Sequence, residues 1–148
     1  MNLDGKKILI TGGCGFIGSR LAEQLSSNNN VTIVDRSSNH VGVEGIERIE
    51  VIEGDLSDPA VVEMAITSET DIIFHLAADK AVNSENITAQ FDLNNRMTSN
   101  ILSRMKDVGV TNIAFASSST VYGEADCPTS ENYTPLEPIS VYGASKLA

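Results

Sequence analysis

Tryptophan is absent from this chain, and only two cysteines, four prolines and ten basic residues occur among its 148. Two cysteines, Cys14 and Cys127, are too few and too distant for a disulfide framework or a metal-binding spacing. No stretch approaches the ~18 apolar residues that a membrane-spanning helix needs, and Met1 to Lys7 lack the apolar core of a signal peptide. The expectation is a cytoplasmic protein. Ten basic residues against 20 acidic ones leave a formal charge of −10. Such a surface repels phosphate backbones and anionic lipid, so neither nucleic acid nor a membrane is expected as a partner. A local nest of backbone N–H groups can still hold a phosphate on an acidic protein. What is present, 41% apolar residues without repeats or low-complexity tracts, is the composition of an ordinary globular domain, and the length allows one.

Short β-branched runs alternate with helical spacing. Lys7-Ile-Leu-Ile-Thr11 is stopped by Gly12-Gly13, and Phe16 to Leu25 carries apolar residues at 16, 17, 21, 22 and 25, a helical face. Val31–Val34, Arg48–Ile52, Asp71–His75 and Asn112–Ala116 read as four further strands. Asp58-Pro59 opens a helix that runs to about Ile66, with Asp as cap and Pro in the first turn. A long helical pattern fills roughly Ala89 to Val108, and a last helix opens near Val141. Strands alternating with helices imply an α/β fold, a parallel sheet with helices on both faces. Right-handed crossovers and the glycine loop favour the doubly wound order 3-2-1-4-5. Residues 141–148 allow barely two helical turns and no sixth strand follows the fifth, so the expectation is one incomplete domain over 1–148, truncated inside its last helix.

Thr11-Gly-Gly-Cys-Gly-Phe-Ile-Gly18 holds Gly13-x-Gly15-x-x-Gly18 and also Gly12-x-x-Gly15-x-x-Gly18. It follows a strand and opens a helix, the context a dinucleotide fingerprint requires. Glycines permit the tight turn and let the backbone approach a pyrophosphate, whose charge meets the positive end of the helix dipole. Asp35 ends the second strand, 17 residues beyond Gly18. A carboxylate there accepts the ribose hydroxyls and repels a 2′-phosphate, which favours NAD over NADP. Arg36 leaves that choice open, because a guanidinium at this place can serve a 2′-phosphate.

On these motifs the chain resembles the extended short-chain dehydrogenase/reductase family, the NAD-dependent epimerases and dehydratases, and within it most the UDP-glucose 4-epimerases. The ordered motifs span nearly all 148 residues. The resemblance implies that Gly12, Gly15, Phe16, Ile17 and Gly18 form the nucleotide fingerprint, and that Asp55 and Leu56 of Gly54-Asp-Leu-Ser-Asp58 address the adenine. It implies that His75-Leu76-Ala77-Ala78, with Val82 and Ser84, runs along the cofactor, which Lys80, Asn95 and Ser117 also contact. Two departures are Thr88 for a usual Pro, and Thr98-Ser99 for a usual Gly-Thr.

Tyr142-Gly-Ala-Ser-Lys146 puts a Tyr and a Lys four apart at a helix start, hence on one face. A phenol is a poor base at neutral pH, and a neighbouring ammonium together with a positive nicotinamide favours the phenolate. Lys146 can also hold the nicotinamide ribose. Ser117-Ser-Ser-Thr-Val-Tyr-Gly123 follows the fifth strand at the sheet edge where such folds bind ligands. The resemblance makes Ser118 the catalytic hydroxyl beside Tyr142 and Lys146, with Ser119, Thr120 and Tyr142 also facing the substrate. Thr120 stands where related dehydratases and decarboxylases carry a carboxylate, so only a hydride and a proton need move. His40 reads as a loop residue, and His75 and Tyr122 as packing residues.

The implied activity is epimerisation of a UDP-sugar at C4, UDP-glucose to UDP-galactose, through a transient 4-keto sugar with bound NAD. The family's substrate domain lies mostly beyond Lys146, so residues 1–148 alone are expected not to turn over. The alternatives are a sugar-nucleotide reductase or dehydratase of the same family, and a non-catalytic NAD-binding fragment. A homodimer is expected through the helices near 89–108 and after 141.

Overall fold

The computed structural model describes residues 3–37, 42–80 and 87–148; His40, Val82 and Ser84 lie outside them. The chain divides into two compact units, Met1–Ala77 with Met97–Phe115, and Ala78–Arg96 with Ala116–Ala148.

The first unit carries β1 (Lys7–Thr11), α1 (Phe16–Ser26), β2 (Asn30–Asp35), β3 (Ile49–Glu53), α2 (Pro59–Ala65), β4 (Ile72–His75) and β5 (Ile113–Phe115), with the second half of α3 (Ile87–Val108). All four strand pairings are parallel and the order is β3-β2-β1-β4-β5. The expected doubly wound order is therefore the observed one. Element ends fall within about two residues of those read from the sequence, as fraying ends allow.

Alternation along the strands sorts the two faces. Ile8 and Ile10 of β1, Val31 and Ile33 of β2 and Ile72 of β4 form one buried cluster with Ala22 of α1, against which Leu21, Leu25 and Phe74 pack. Leu9, Thr11, Val34, Ile73 and His75, all buried, alternate with these, and His75 meets Thr98 of α3 on that other face. Register aligns the carboxyl ends: Thr11 pairs Val34 and His75, Asp35 pairs Glu53, and His75 pairs Phe115. The loops that leave this edge carry the predicted cofactor residues of this unit.

Asp58 caps α2 by accepting from Ala60 N at 2.9 Å, with Pro59 in the first turn as its sequence implies. At the opposite edge of the sheet, Asp71 ties the start of β4 to β1. It accepts from Lys7 N at 2.8 Å and from Lys6 Nζ at 3.1 Å, while its own N–H donates to Lys7 O at 2.9 Å. The Lys7 N–H, followed by the Lys6 ammonium, holds the Asp71 carboxyl below the usual aspartate range. A carboxylate depressed in the folded state stabilises it above its unfolded pKa, and that contribution fades as pH falls from about 4 through the lower folded value. Asp71→Asn, which keeps an acceptor for Lys7 N but loses the charge, is expected to narrow the drop in urea midpoint between pH 7 and pH 3. An unchanged drop in the variant would remove Asp71 from the acid response.

The second unit carries the first half of α3, a 3-10 turn at Ser119–Tyr122 and α4 (Val141–Leu147). Ser140 caps α4, its Oγ accepting from Gly143 N at 3.0 Å. Tyr122 stacks edge-on against Tyr133 with centroids 6.2 Å apart, the packing role its sequence position suggests. Among the described residues no helix is long and apolar enough to cross a membrane.

Candidate cofactor and catalytic site

In the first unit the glycine loop turns on atoms that admit no side chain. Gly12 has φ +70°, and a Cβ there would lie 2.9 Å from the Cα and N of Ala77. A Cβ on Gly18 would lie 2.3 Å from the Gly12 carbonyl oxygen, and one on Gly13 would run into the Ile33 side chain. Gly12 N donates to Val34 O, and Gly15 N and Ser19 N continue the turn by donating to Gly12 O and Gly15 O. The N-cap of α1 is Gly15, which supplies no side-chain acceptor to the first turn. Phe16 and Ile17 expose most of their side chains, at 89% and 68%, and their backbone N–H groups belong to the first turn of α1, the donors that a helix start offers to an anion. A bare, glycine-lined N-terminus of an 11-residue helix suits a pyrophosphate by both geometry and dipole.

Asp35 stands beside this turn. Its Oδ2 accepts from Cys14 N and its Oδ1 from Ser37 N, each at 3.0 Å. Two N–H donors fix the carboxylate at the end of β2, where a ribose hydroxyl can be received. Burial, and then the Asp35 charge, push the Cys14 thiol up, which makes it a poor nucleophile. Asp35 O accepts from Gly54 N at 2.9 Å, which brings the Gly54–Asp58 turn alongside. In that turn Asp55 accepts from Ser57 N at 2.8 Å, and Leu56 is buried, its carbonyl held by Asn100 Nδ2 at 3.0 Å.

The segment leaving β4 is fixed from behind. His75 is 1% exposed; its Nδ1 lies 2.7 Å from Thr11 Oγ1 and its Nε2 3.2 Å from Thr98 Oγ1. Thr11 Oγ1 also accepts from Ala77 N at 3.2 Å, and Leu76 N donates to Thr11 O. His75 is thus a buried, bonded packing residue that sets the path of Leu76 and Ala77 past Gly12. Thr98, read from the sequence as a small polar departure, is one of its anchors.

In the second unit Tyr142 and Lys146 share one face of α4, with Lys146 Nζ 5.9 Å from the Tyr142 ring centroid. Lys146 is only 6% exposed, and burial pushes its ammonium below the usual lysine range. Ser118 opens the 3-10 turn; its Oγ accepts from Thr120 N at 3.2 Å and from Thr120 Oγ1 at 2.8 Å. Ser117, Ser119 and Thr120 are exposed around it. A Cβ on Gly143 would lie 2.8 Å from Thr120 O, so α4 and the serine turn approach at backbone contact. Ala78 is half-buried and Lys80 exposed.

One residue of this unit escaped the sequence reading. Asn94, 4% exposed, accepts from Asp79 N at 2.7 Å and donates to Asp79 O at 3.1 Å and to Ser145 Oγ at 3.0 Å. Ser145 Oγ in turn donates to Tyr142 O at 2.8 Å. Asn95, the asparagine chosen from the resemblance, is the half-buried neighbour. The signal was periodicity: Met97, Ile101 and Met105 form the buried stripe of α3, and its backward extension lands on Asn94 and Gln90.

Residues 8–148 match the model of the NAD dependent epimerase/dehydratase family. The chain is 36% identical to a D-erythronate dehydrogenase of Cupriavidus necator, over 94% of this chain and 47% of that protein. It is 35% identical to a bifunctional UDP-glucose 4-epimerase and UDP-xylose 4-epimerase of Pisum sativum, over 99% of this chain and 46% of that one. A UDP-glucose 4-epimerase from Brucella ovis in complex with NAD superposes with a TM-score of 0.85 at 27% identity, covering 97% of this chain and 45% of the other. The chain therefore spans about half the length of the curated relatives it matches.

Proposed function

The chain belongs to the NAD dependent epimerase/dehydratase family with NAD as its cofactor, and from that premise we propose that the whole protein is a UDP-sugar 4-epimerase of the UDP-glucose/UDP-galactose type. The observation that carries the proposal is the Tyr142–Lys146 pair on α4, with α4 seated by Gly143 on the turn that holds Ser118. Gly12, Gly15, Gly18, Asp35 and Asp55 are the residues assigned to the dinucleotide.

Bound NAD supplies an acceptor for hydride that can also return it. The residues of this chain handle the proton. Tyr142 Oη takes the proton of the sugar C4 hydroxyl and gives it back, and Ser118 Oγ shares that hydroxyl's hydrogen bond. Lys146 sets its ammonium beside the phenol, with Nζ 5.9 Å from the ring centroid. Thr120, lacking a carboxylate, offers no extra acid or base for elimination, which supports epimerisation over dehydration. A homodimer through α3 and the helix that begins at Val141 is part of the proposal, and Leu102, half-exposed on α3, is an apolar residue suited to it.

The test is incubation of the full-length protein with UDP-galactose. Conversion to UDP-glucose without net NADH is the expected result. Steady accumulation of NADH would replace this reading with a net dehydrogenase, a second reading supported by the similarity to D-erythronate dehydrogenase. Dinucleotide binding without turnover of any nucleotide sugar would leave a binding module.

A further inference from the structure

Arg36 follows Asp35 at the end of β2, where a guanidinium can serve the 2′-phosphate of NADP. The structure sends it elsewhere. Arg36 Nη1 lies 3.8 Å from Asp55 Oδ2, across the gap between the β2 and β3 loops. The two loops are held together beneath the pair, since Asp35 O accepts from Gly54 N at 2.9 Å, one residue before Asp55. The loop of Asp55 is itself fixed. A Cβ on Gly54 would strike the Val61 side chain at 2.8 Å, and Asp55 Oδ1 accepts from Ser57 N at 2.8 Å. Asp35 is anchored separately, one oxygen accepting from Cys14 N and the other from Ser37 N, and each oxygen keeps a lone pair for a ribose hydroxyl.

We infer that Asp55 is a specificity-determining residue that discriminates against NADP by drawing the Arg36 guanidinium off the adenosine ribose, leaving the Asp35 carboxylate as the charge that a 2′-phosphate meets. The inference rests on the assignment of Asp35 and Asp55 to the dinucleotide site. The device works at a distance from the nicotinamide end and leaves the reaction class untouched. Partial burial pushes the Asp55 carboxyl up, but the Ser57 hydrogen bonds and the Arg36 charge outweigh it and hold the group below the usual aspartate range. The partner that holds Arg36 therefore stays ionised at neutral pH. Both side chains are partly exposed, 53% for Arg36 and 40% for Asp55, so the discrimination expected from this pair is modest and sensitive to salt.

The experiment compares the Kd values of NAD and NADP for nucleotide-stripped full-length protein, by displacement of fluorescent NADH at low ionic strength. Wild type is expected to favour NAD. Asp55→Asn keeps an acceptor for Ser57 N but loses the charge, and is expected to shrink the preference for NAD about fivefold. Arg36→Gln in the same protein is expected to restore it. Arg36→Gln alone, a surface change, is expected to move the preference less than about twofold. An unchanged preference in Asp55→Asn, or a loss that survives the added Arg36→Gln, overturns the inference. So does a large rise in NAD preference in Arg36→Gln alone, because Arg36 would then already be serving the 2′-phosphate. If wild type binds neither dinucleotide, it is the assignment of the cofactor site that fails.

Discussion

Gly18→Ala is expected to reduce NAD affinity by about a hundredfold or more and to lower the thermal midpoint of the chain. The added Cβ would fall 2.3 Å from Gly12 O, 2.6 Å from Gly13 Cα and 3.0 Å from Gly12 C. All three atoms are backbone of the turn that joins β1 to α1, so no rotamer change relieves the contact. Either α1 retreats from the turn or Gly12 gives up the φ of +70° that carries it past Ala77. Both movements open the N-terminal cradle, and overpacking of this kind costs roughly 1–3 kcal/mol in stability before any ligand is considered. Gly15→Ala is the graded control, because its Cβ would meet only Gly12 O, at 3.2 Å. Gly5→Ala is the other control, with φ +70° but open space around it. It is expected to cost about 1 kcal/mol of stability with no change in NAD affinity. Calorimetric titration with NAD alongside thermal melts reads all three variants. An NAD affinity for Gly18→Ala within a few-fold of wild type would show that the cradle is not the pyrophosphate site.

The order of these effects follows from geometry that the sequence states only in part. Glycine at 12, 15 and 18 between a strand and a helix announces a turn built for close approach, and the strand order follows from alternating β and α segments with a right-handed crossover. Those are local patterns of period 2 and 3.6, and β1, β2 and β4 lie where they place them. Gly18 meets Gly12 and Gly13 within the motif itself, but Gly12 and Gly13 are closed in by neighbours far along the chain, Ala77 and Ile33, and no spacing rule contains those. The same limit hid Asn94. Its partners Asp79 and Ser145 lie 15 and 51 residues away, while the adjacent Asn95 offered an equal match to a motif. Thr98 shows the reverse case. As a substitution it looked neutral, yet its hydroxyl lies within hydrogen-bonding distance of a buried imidazole 23 residues earlier. Arg36 was ambiguous for the same reason, since only the fold brings Asp55 beside it.

Tyr142→Phe is expected to lower kcat of the full-length protein about a thousandfold while leaving NAD bound, because removal of a positioned proton-transfer group costs about 10²–10⁴ in rate. The ring remains to pack against the Lys146 ammonium, 5.9 Å from its centroid, so the fold is expected to survive. Lys146→Met separates the second role. In the folded chain burial holds the Lys146 pKa below the usual lysine range. As pH rises through that lowered value the ammonium is lost, so turnover in wild type is expected to decline at a pH below about 10.4, where an exposed lysine titrates. Stability moves the other way. Between the folded and unfolded pKa values the unfolded chain binds more protons at this site, so the slope of unfolding free energy against pH is positive there. Burying the ammonium is a penalty that is complete at lower pH and relieved as pH rises. Lys146→Met is therefore expected to lose activity across the whole range and to lack this site's alkaline rise in stability. Activity that falls with pH in step with melting temperature would point to alkaline unfolding. Activity that falls while this lysine's contribution to stability grows identifies loss of the ammonium beside Tyr142, and a Tyr142→Phe protein that keeps wild-type kcat would remove the phenol from the proton transfer altogether.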